Sequence, residues 1–372
     1  MRIAAFLLLA PILSAQDYFV YFGTYTATVS KGIYVCRFRS STGELTPLEV
    51  AAEAPNPSFL AIRPDHRFLY AVNWKASGAL PGNTVSAFAI DPKTAKLTFL
   101  NKVSSKGEQP THLALDATGG TLVVANYGTG TVAALPIAHD GRLNEAAFVD
   151  QHSGPPVAAH GGVPHAHDVL FSHDQKLVFV AELGLDRVYA YRFNPSNHSL
   201  APHDPPYAGA NPGSGPRHLA LAPNGRFLFA NNETDSTVTS FKRLGDGGTL
   251  EAVQTISTLP SDFHGTNTTA EIQLDRTGRF LYVSNRGHDS IAVFSVDPAR
   301  GTLTPVEQVS TQGKTPRNFS LDPTGAYLFA ANENSSTVVI FRVDRTTGRL
   351  TSTGRVLDVP SPSCVIFLKA SD

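Results

Sequence analysis

The chain has 372 residues, and its 30 Lys and Arg against 31 Asp and Glu leave a formal net charge of −1. This balance, without any block of basic residues, excludes a nucleic-acid-binding protein that works through a positive surface. The 30 Gly and 26 Pro favour a fold with many turns.

The start of the chain has the pattern of a secretory signal peptide. A short basic region is followed by an almost wholly apolar run over residues 3–13 and then by two small residues. The apolar run is too short to span a bilayer. We therefore predict that residues 1–15 are removed after Ala15 and that the mature protein is secreted or periplasmic. A single domain is expected to cover residues 16–372.

A unit of about fifty residues then recurs through the chain. Its clearest copy is 216–250, where the strand-like runs RHLALA, RFLFANN and STVTSFK are separated by Gly, Asn, Asp and Pro turns. Such runs between turn residues predict antiparallel strands joined by hairpins. Copies begin at Pro57, Pro110, Ala166, Pro216, Thr269 and Pro316, with spacings of 47 to 56 residues. Four strands per unit at this period predict an all-β fold, a β-propeller with six full blades.

The two ends of the chain together predict a seventh blade. Residues 18–24, 32–38 and 45–50 have the pattern of a second, third and fourth strand, but no first strand precedes them. The run SCVIFL at 363–368 supplies the missing strand. Pairing of this C-terminal strand with the N-terminal strand would close the ring and remove an open sheet edge.

The two cysteines, Cys36 and Cys364, are expected to be unpaired and buried. The predicted blade places them on its third and first strands, which are roughly 10 Å apart at about 4.8 Å per strand. A disulfide requires Cα atoms within about 7 Å of each other.

Each blade brings two positions to one face of the ring. These are the residue after the start of the first strand and the residue after the Asn-like end of the second, because antiparallel neighbours place one strand's start beside the other's end. Residues that depart from the repeat at these positions are candidates for function. The first set is Ser58, Thr111, His167, Arg217, Ala270, Arg317 and Ser363. The second set is Trp74, Tyr127, Leu183, Glu233, Arg286 and Glu333.

Four of these residues form a predicted cluster on three adjacent blades: His167, Arg217, Glu233 and Arg286. Two guanidiniums, an imidazole and a carboxylate suit a substrate that is anionic or that forms an oxyanion. The alternative interpretation is a purely structural ion pair between Arg217 and Glu233.

The loop HGGVPHAHD adds a second histidine, His165, two positions before His167. A His-x-His pair can bind zinc, but no neighbouring Cys or Glu completes a ligand set, so we predict no metal site. Glu182 replaces the usual Asn at the end of its second strand. It would either orient His167 or Arg217 by hydrogen bonding or cap its own turn.

The segments PHAHD, ELGLD, PRHLAL with NE, GTNTTAEI and SNRGHDSI together resemble the lactonase family of seven-bladed propellers. This family includes propeller-type 6-phosphogluconolactonases and fungal carboxymuconate cyclases, and the resemblance covers nearly all of the chain after residue 15. It implies a site made of a His from PHAH, the Arg of PRH, the Glu of NE and the Arg of SNRG. These are His167, Arg217, Glu233 and Arg286; His165 stays an alternative to His167, which the blade register favours. The substrate-binding candidates in these motifs are His165, Glu182, His218 and His288.

The resemblance implies an enzyme that opens a sugar lactone with water and needs no cofactor or metal ion. Glu233, or His167 beside it, would take a proton from water. One of Arg217 and Arg286 would stabilise the oxyanion while the other holds a substrate group. No G-x-S-x-G motif occurs, so no acyl-enzyme is expected. Export would separate the protein from cytoplasmic phosphogluconolactone, so its substrate is expected to differ.

Two alternative functions use the same fold. The first is an exported propeller that binds a ligand or protein at its channel mouth without catalysis. The second is a muconate-type cyclase, which would need room for a dicarboxylate between Arg217 and Arg286. For the enzyme, the expected partner is a small-molecule lactone. We expect a monomer that does not bind nucleic acid and that, after removal of the signal peptide, is not associated with a membrane.

Overall fold

The computed structural model describes residues 16–27, 29–74, 83–155 and 157–370. In this part of the chain it contains 29 β-strands and one 3₁₀ helix, Ala158–His160. The strands form seven antiparallel sheets arranged as the blades of a ring, which confirms the predicted all-β, seven-bladed propeller. No helix within these ranges is long and apolar enough to cross a membrane. The predicted signal peptide, residues 1–15, lies outside the described residues.

The strands follow the predicted repeat from the first to the last. The N-terminal strands are β1 (Asp17–Thr24), β2 (Gly32–Arg39), β3 (Glu44–Leu45) and β4 (Glu49–Glu53). Blade 1 contains β5 (Pro57–Ile62), β6 (Phe68–Asn73), β7 (Thr84–Ile90) and β8 (Leu97–Ser104). Blade 2 contains β9 (Pro110–Leu115), β10 (Thr121–Asn126), β11 (Thr131–Pro136) and β12 (Phe148–Gln151). Blade 3 contains β13 (Ala166–Phe171), β14 (Leu177–Glu182), β15 (Arg187–Asn194) and β16 (Ser199–Gly209).

The second half of the ring continues in the same way. Blade 4 contains β17 (Pro216–Leu221), β18 (Phe227–Asn232), β19 (Thr237–Leu244) and β20 (Thr249–Ser257). Blade 5 contains β21 (Thr268–Leu274), β22 (Phe280–Arg286), β23 (Ser290–Val296) and β24 (Leu303–Ser310). Blade 6 contains β25 (Pro316–Leu321), β26 (Tyr327–Asn332), β27 (Thr337–Val343) and β28 (Leu350–Asp358). The last strand is β29 (Pro362–Lys369).

The closing blade is shared between the two ends of the chain, as predicted. β29 pairs antiparallel with β1 from Tyr18 opposite Lys369 to Thr24 opposite Pro362, and β1 pairs with β2. The predicted fourth strand at 45–50 is split into β3 and β4, which both pair with β2. Pro47 lies in the gap, and it has no backbone N–H to give to the ladder.

The hydrophobic core lies in seven seams between neighbouring blades. Each of the seven clusters of buried apolar side chains takes its members from two adjacent sheets. In the seam between blade 6 and the closing blade, the rings of Phe38 and Phe329 meet edge to face with centroids 5.0 Å apart. The first strands of neighbouring blades contact one another around the ring, so they line the central channel. A blade therefore buries its two faces only by contact with both neighbours.

The cysteine prediction is confirmed. Cys364 lies on β29 and Cys36 on β2, with β1 between them. Both thiols are free and buried. They occupy different seams, since Cys364 packs toward blade 1 and Cys36 toward blade 6.

Deleting residues 361–372 should open the ring. The deletion removes β29, which pairs with β1 and contacts the first strands of blades 1 and 6. We expect a large fall in melting temperature and a loss of soluble protein, because two apolar seams and one sheet edge become exposed. Thermal unfolding and gel filtration of the truncated chain test this. An unchanged melting temperature in a monomeric, soluble product would contradict closure by β29.

Candidate active site

The site is built from the same backbone irregularity in every blade. The predicted register is confirmed, because the starts of the first strands lie opposite the ends of the second strands, as in Pro57 with Asn73 and Pro216 with Asn232. Just after each of these pairs the first strand carries a β-bulge. A bulge leaves one residue without an opposite partner and re-aims its side chain. The bulged residues are Ser58, Thr111, His167, Arg217, Ala270 (together with Glu271), Arg317 and Ser363.

These bulges surround a cavity of about 460 Å³ at one end of the channel. Its lining divides into two arcs. Aromatic side chains come from the closing blade and blades 1 and 2, and charged side chains come from blades 4 to 6, with His167 of blade 3 between them. The aromatic arc consists of Tyr25, Trp74 and Tyr127; the charged arc consists of Arg217, Glu233, Arg286, Arg317 and Glu333.

Glu233 holds two guanidiniums in the charged arc. Arg217 Nε donates to Glu233 Oε2 at 2.8 Å, and Arg286 Nη2 lies 3.1 Å from the same oxygen. Each arginine is also fixed to blade 5 through the backbone. Arg217 Nη1 donates to the carbonyl of Ala270, and Arg286 Nη2 donates to the carbonyl of Thr269 at 2.8 Å. This arrangement fixes the orientation of both guanidinium planes before any ligand binds.

The charges in this arc depend on one another. Burial alone would raise the pKa of Glu233, but Arg286, Arg217 and Arg317 outweigh burial and lower it, so the carboxylate is ionised at neutral pH. Burial lowers the pKa of Arg217 and the nearby Arg286 adds to this, while Glu233 opposes both. Arg217 is only 2% exposed in its side chain. A guanidinium that is buried this deeply keeps its charge at low free-energy cost only when an anionic partner lies beside it.

His167 is buried in the cavity wall without a hydrogen-bond partner. The residue is 3% exposed, and no protein group in the described ranges hydrogen-bonds to either ring nitrogen; Nδ1 is itself buried and unpartnered. Its ring contacts Tyr127 edge to face, with centroids 5.6 Å apart. Burial, followed by the positive charge of Arg217, lowers the pKa of His167 well below its usual value of 6.5. The imidazole is therefore neutral at pH 7.

Three of the predicted substrate-binding residues lie outside the cavity lining, and their role in binding stays a prediction. His165 stacks on Tyr127 with ring centroids 4.3 Å apart, and its Nδ1 donates a hydrogen bond to the Tyr127 carbonyl at 2.8 Å. Glu182 is fully buried, where it meets His152 Nδ1 at 2.5 Å and accepts from the backbone N–H of His165. His288 is bonded to Ser290 at 2.7 Å.

These contacts bear on two choices that the sequence left open. Of the two histidines in PHAH, His167 lines the cavity and His165 supports Tyr127 from behind. Glu182 caps its own loop and makes no hydrogen bond to His167 or Arg217. In the described part of the chain, no group of three or more His, Cys, Asp and Glu residues is placed to hold a metal ion.

His218, the fourth predicted substrate-binding residue, lies at the floor of the cavity. It lines a small recess that shares His167, Arg217 and Arg317 with the main cavity. Its ring centroid is 5.1 Å from that of His167.

Comparison with known proteins shows the family of this fold. The family model "Lactonase, 7-bladed beta-propeller" matches residues 19–367. The chain belongs to this lactonase family. A 6-phosphogluconolactonase of Bacillus subtilis is 35% identical over 308 residues, which are 81% of this chain and 84% of that protein.

Two solved structures are similar over almost the whole lactonase-family chain. The periplasmic gluconolactonase of Pseudomonas aeruginosa has a TM-score of 0.90 at 34% identity, covering 95% of this chain and 100% of that one. A putative 6-phosphogluconolactonase of Bacteroides fragilis has a TM-score of 0.88 at 34% identity, covering 97% and 100%.

The two positions that each blade brings to one face of the ring also account for most cavity residues of this lactonase-family chain that had no predicted role. Trp74, Tyr127, Arg317 and Glu333 occupy these positions and all line the cavity. Tyr25 was missed because the closing blade has Thr24 where other blades have Asn. Thr24 lies opposite Pro362, so Tyr25 occupies the equivalent position and could have been found in the same way.

The pairing of both arginines with one oxygen bears on the cyclase alternative. Because Arg217 and Arg286 share Glu233 Oε2, the carboxylate of Glu233 occupies the space between them. A muconate-type cyclase would need that space for a dicarboxylate.

Glu233→Gln should reduce stability as well as function. It leaves two guanidiniums without their anion, at a cost of about 3 kcal/mol in the free energy of unfolding at pH 7. The folded-state pKa of Glu233 lies below its usual 4.5, so its stabilising effect is complete above that pH and is lost as pH falls through the folded-state value. The difference between wild type and variant should therefore shrink in acid. Urea unfolding at several pH values measures it.

Glu333→Gln is the matched control for this measurement. Glu333 lines the same cavity but has one looser contact, 3.8 Å from Arg317 Nε. We expect a loss below about 1 kcal/mol. Equal losses in the free energy of unfolding of the two variants would show that pairing with two arginines does not make Glu233 more stabilising than Glu333.

Proposed function

We propose that this chain hydrolyses the intramolecular ester of a sugar lactone. The names of its relatives, 6-phosphogluconolactonase and gluconolactonase, support this reaction class. The observation that carries the proposal is His167, a buried and neutral imidazole in the cavity wall whose ring makes no hydrogen bond to the described residues. A buried polar group left unpaired by the fold is costly and calls for a functional explanation.

In the proposed mechanism His167 is the general base. Because it is neutral at pH 7, it can accept a proton from a water molecule bound in the cavity as that water attacks the lactone carbonyl carbon. The imidazolium then returns the proton to the ring oxygen as the C–O bond breaks, and a hydroxy acid is released. Glu233 is less suited to this role, because one of its oxygens is shared by two guanidiniums that lower its pKa.

Arg217 is the proposed oxyanion donor. Its Nε and Nη1 are held by Glu233 and by the carbonyl of Ala270, whereas Nη2 has no partner in the described part of the chain. A donor fixed in advance stabilises developing negative charge without reorganisation, which is the principle of an oxyanion hole. Arg286, which lines the same cavity, would hold a substrate oxygen nearby.

The two arcs of the cavity suit a sugar ring with one developing charge. The faces and edges of Tyr25, Trp74 and Tyr127 can pack against the C–H groups of a sugar, while polar groups opposite fix its orientation. Three arginines and two glutamates leave one excess positive charge in the lining. That excess matches the single carboxylate of an aldonic acid, so we propose an unphosphorylated aldonolactone as the preferred substrate.

Proton release tests the reaction directly. Purified protein is given D-glucono-1,5-lactone and its 6-phosphate in weak buffer, and the enzyme-free rate is subtracted. We expect turnover, with higher kcat/KM for the unphosphorylated lactone. His167→Gln should lower kcat by roughly 10²- to 10⁴-fold with little change in melting temperature. Because the pKa of His167 is lowered, wild-type kcat should stay constant as pH falls to 6.5 and decline only below it.

His288→Gln provides the control for that substitution. His288 is a histidine of the same motif set but lies outside the cavity lining, hydrogen-bonded to Ser290. The activity of the His288→Gln variant should stay within about twofold of wild type. No turnover of either lactone by wild type would refute the proposed function, and full activity in His167→Gln would refute the assigned base.

We also propose that the protein is exported and acts as a monomer. The pattern of residues 1–15 supports export, and one similar structure is that of a periplasmic gluconolactonase. The residues that line the cavity all come from this chain, so a monomer would carry the whole proposed site. Expression of the full chain in a bacterial host should yield extracytoplasmic protein whose first residue is Gln16. N-terminal sequencing after fractionation measures this, and an intact Met1 in the cytoplasmic fraction would contradict it.

A further inference from the structure

Below the cavity, the first strands contribute a second set of side chains to the channel. These are the residues that follow the bulged position, which is taken as Ala270 in blade 5, and we call them the inner ring. The inner ring consists of Phe59, His112, Asp168, His218, Glu271, Asn318 and Cys364. Two carboxyl groups in the middle of a propeller are not required by the repeat, because other blades place Phe and Cys at the same position.

Glu271 contacts side chains of both neighbouring blades, His218 of blade 4 and Asn318 of blade 6. Its Oε2 accepts from Asn318 Nδ2, and its Oε1 accepts from the backbone N–H of Ile272 at 3.1 Å. Asn318 is itself held, because its Oδ1 accepts from the backbone N–H of Val365 at 2.9 Å. The Glu271 side chain is therefore fixed between blades 5 and 6, and its Oε2 has a further neighbour on blade 4.

That neighbour is His218. Its Nδ1 lies 3.3 Å from Glu271 Oε2, so one ring nitrogen faces the carboxyl group. The other nitrogen, Nε2, has no partner in the described ranges, while the ring lines the recess at the cavity floor beside His167 and Arg217. Burial, and then the charge of Arg217, lowers the pKa of His218 well below its usual value, so the ring is neutral. A neutral imidazole has a single N–H group. The hydrogen-bond partner of one ring nitrogen decides which of the two nitrogens carries the proton.

We propose that Glu271 is a positioning residue that acts through His218. Its protonated carboxyl group donates to His218 Nδ1, which places the imidazole proton on Nε2 and makes His218 a hydrogen-bond donor at the floor of the substrate cavity. The acceptor would be a hydroxyl or carbonyl oxygen of the bound lactone. This inference rests on the proposed lactone hydrolysis for its kinetic consequence, but the position of the proton on His218 does not depend on it.

The environment of Glu271 supports a protonated carboxyl group at neutral pH. Burial raises the pKa of Glu271 to about 8, although His112 and Arg217 act in the opposite direction. Above that pH the ionised carboxylate can only accept a hydrogen bond. The His218 proton would then move to Nδ1, and Nε2 would lose its donor function. The titratable and charged groups that face Glu271 are His112 of blade 2, Asp168 of blade 3, Arg217 and His218 of blade 4, and Cys364 of the closing blade.

Two substitutions separate the donor function of Glu271 from its titration. Glu271→Gln keeps an N–H donor for His218 Nδ1 but cannot ionise, so kcat/KM at pH 7 should stay within about threefold of wild type. The wild-type decline in kcat/KM through about pH 8 should be absent in this variant. Glu271→Ala removes the donor, so KM at pH 7 should rise roughly tenfold, as expected for one lost substrate hydrogen bond.

Cys364→Ala is the control for the alkaline decline. Cys364 is another inner-ring residue with an acidic proton, but burial raises the pKa of its thiol, so it should not titrate near pH 8. This variant should keep the wild-type decline. If Cys364→Ala abolishes the decline, or if Glu271→Gln retains it, the inference is wrong.

A spectroscopic measurement tests the proton position without any substrate. In ¹⁵N-histidine-labelled full-length protein, the His218 signals, assigned by comparison with His218→Gln, should show a neutral ring protonated at Nε2 at pH 7. The same tautomer is expected in Glu271→Gln, and a shift to Nδ1–H is expected in wild type above pH 8. A wild-type ring protonated at Nδ1 at pH 7 would overturn the inference, even if Glu271→Ala fails to fold. Absence of lactone turnover with the Nε2–H tautomer present would refute only the proposed function.

Discussion

The pairing of β29 with β1 joins the two ends of the chain within one sheet, and the closed ring of seams between blades depends on it. No blade has an apolar core of its own, because each sheet buries its faces against two neighbours. An open ring would leave two such faces and a strand edge in water. Closure also brings Tyr25, which follows β1, into the same cavity as residues of blade 6. Stability and the completeness of the site therefore have one origin.

A repeated irregularity of the backbone converts this regular scaffold into a site. The β-bulge after the start of each first strand turns one side chain per blade toward the channel, and the next residue joins the inner ring below it. The scaffold is nearly the same in all blades, whereas the bulged residues differ from Ser58 to His167 and Arg217. Chemistry thus varies around the ring at positions where the sheets do not constrain the side chain. This explains how an aromatic arc and a charged arc coexist in one cavity.

Burial governs the charge state of the groups at this end of the channel. Arg217 can stay charged because Glu233 neutralises it at short range. Burial, followed by the positive charge of Arg217, lowers the pKa of His167 and of His218 and keeps both rings neutral. Deeper in the channel, Glu271 has no cation in direct contact and is instead held protonated by desolvation. The carboxyl groups of Glu233 and Glu271 therefore have opposite protonation states within one site. The difference follows from their neighbours, since both residues are glutamates.

The sequence by itself determined the seven blades, the closure by the C-terminal strand and the ring of positions that line the cavity. These features follow from local alternation and turn residues, which set strand register within a hairpin. Only the tertiary structure decided that His167 and not His165 reaches the cavity, that Glu182 and His288 lie outside it, and that Glu233 binds two guanidiniums. It alone brought Glu271 to His218. Each of these facts is a distance between side chains on different blades, and such distances depend on how sheets pack and where bulges turn side chains, which spacing along one strand does not encode.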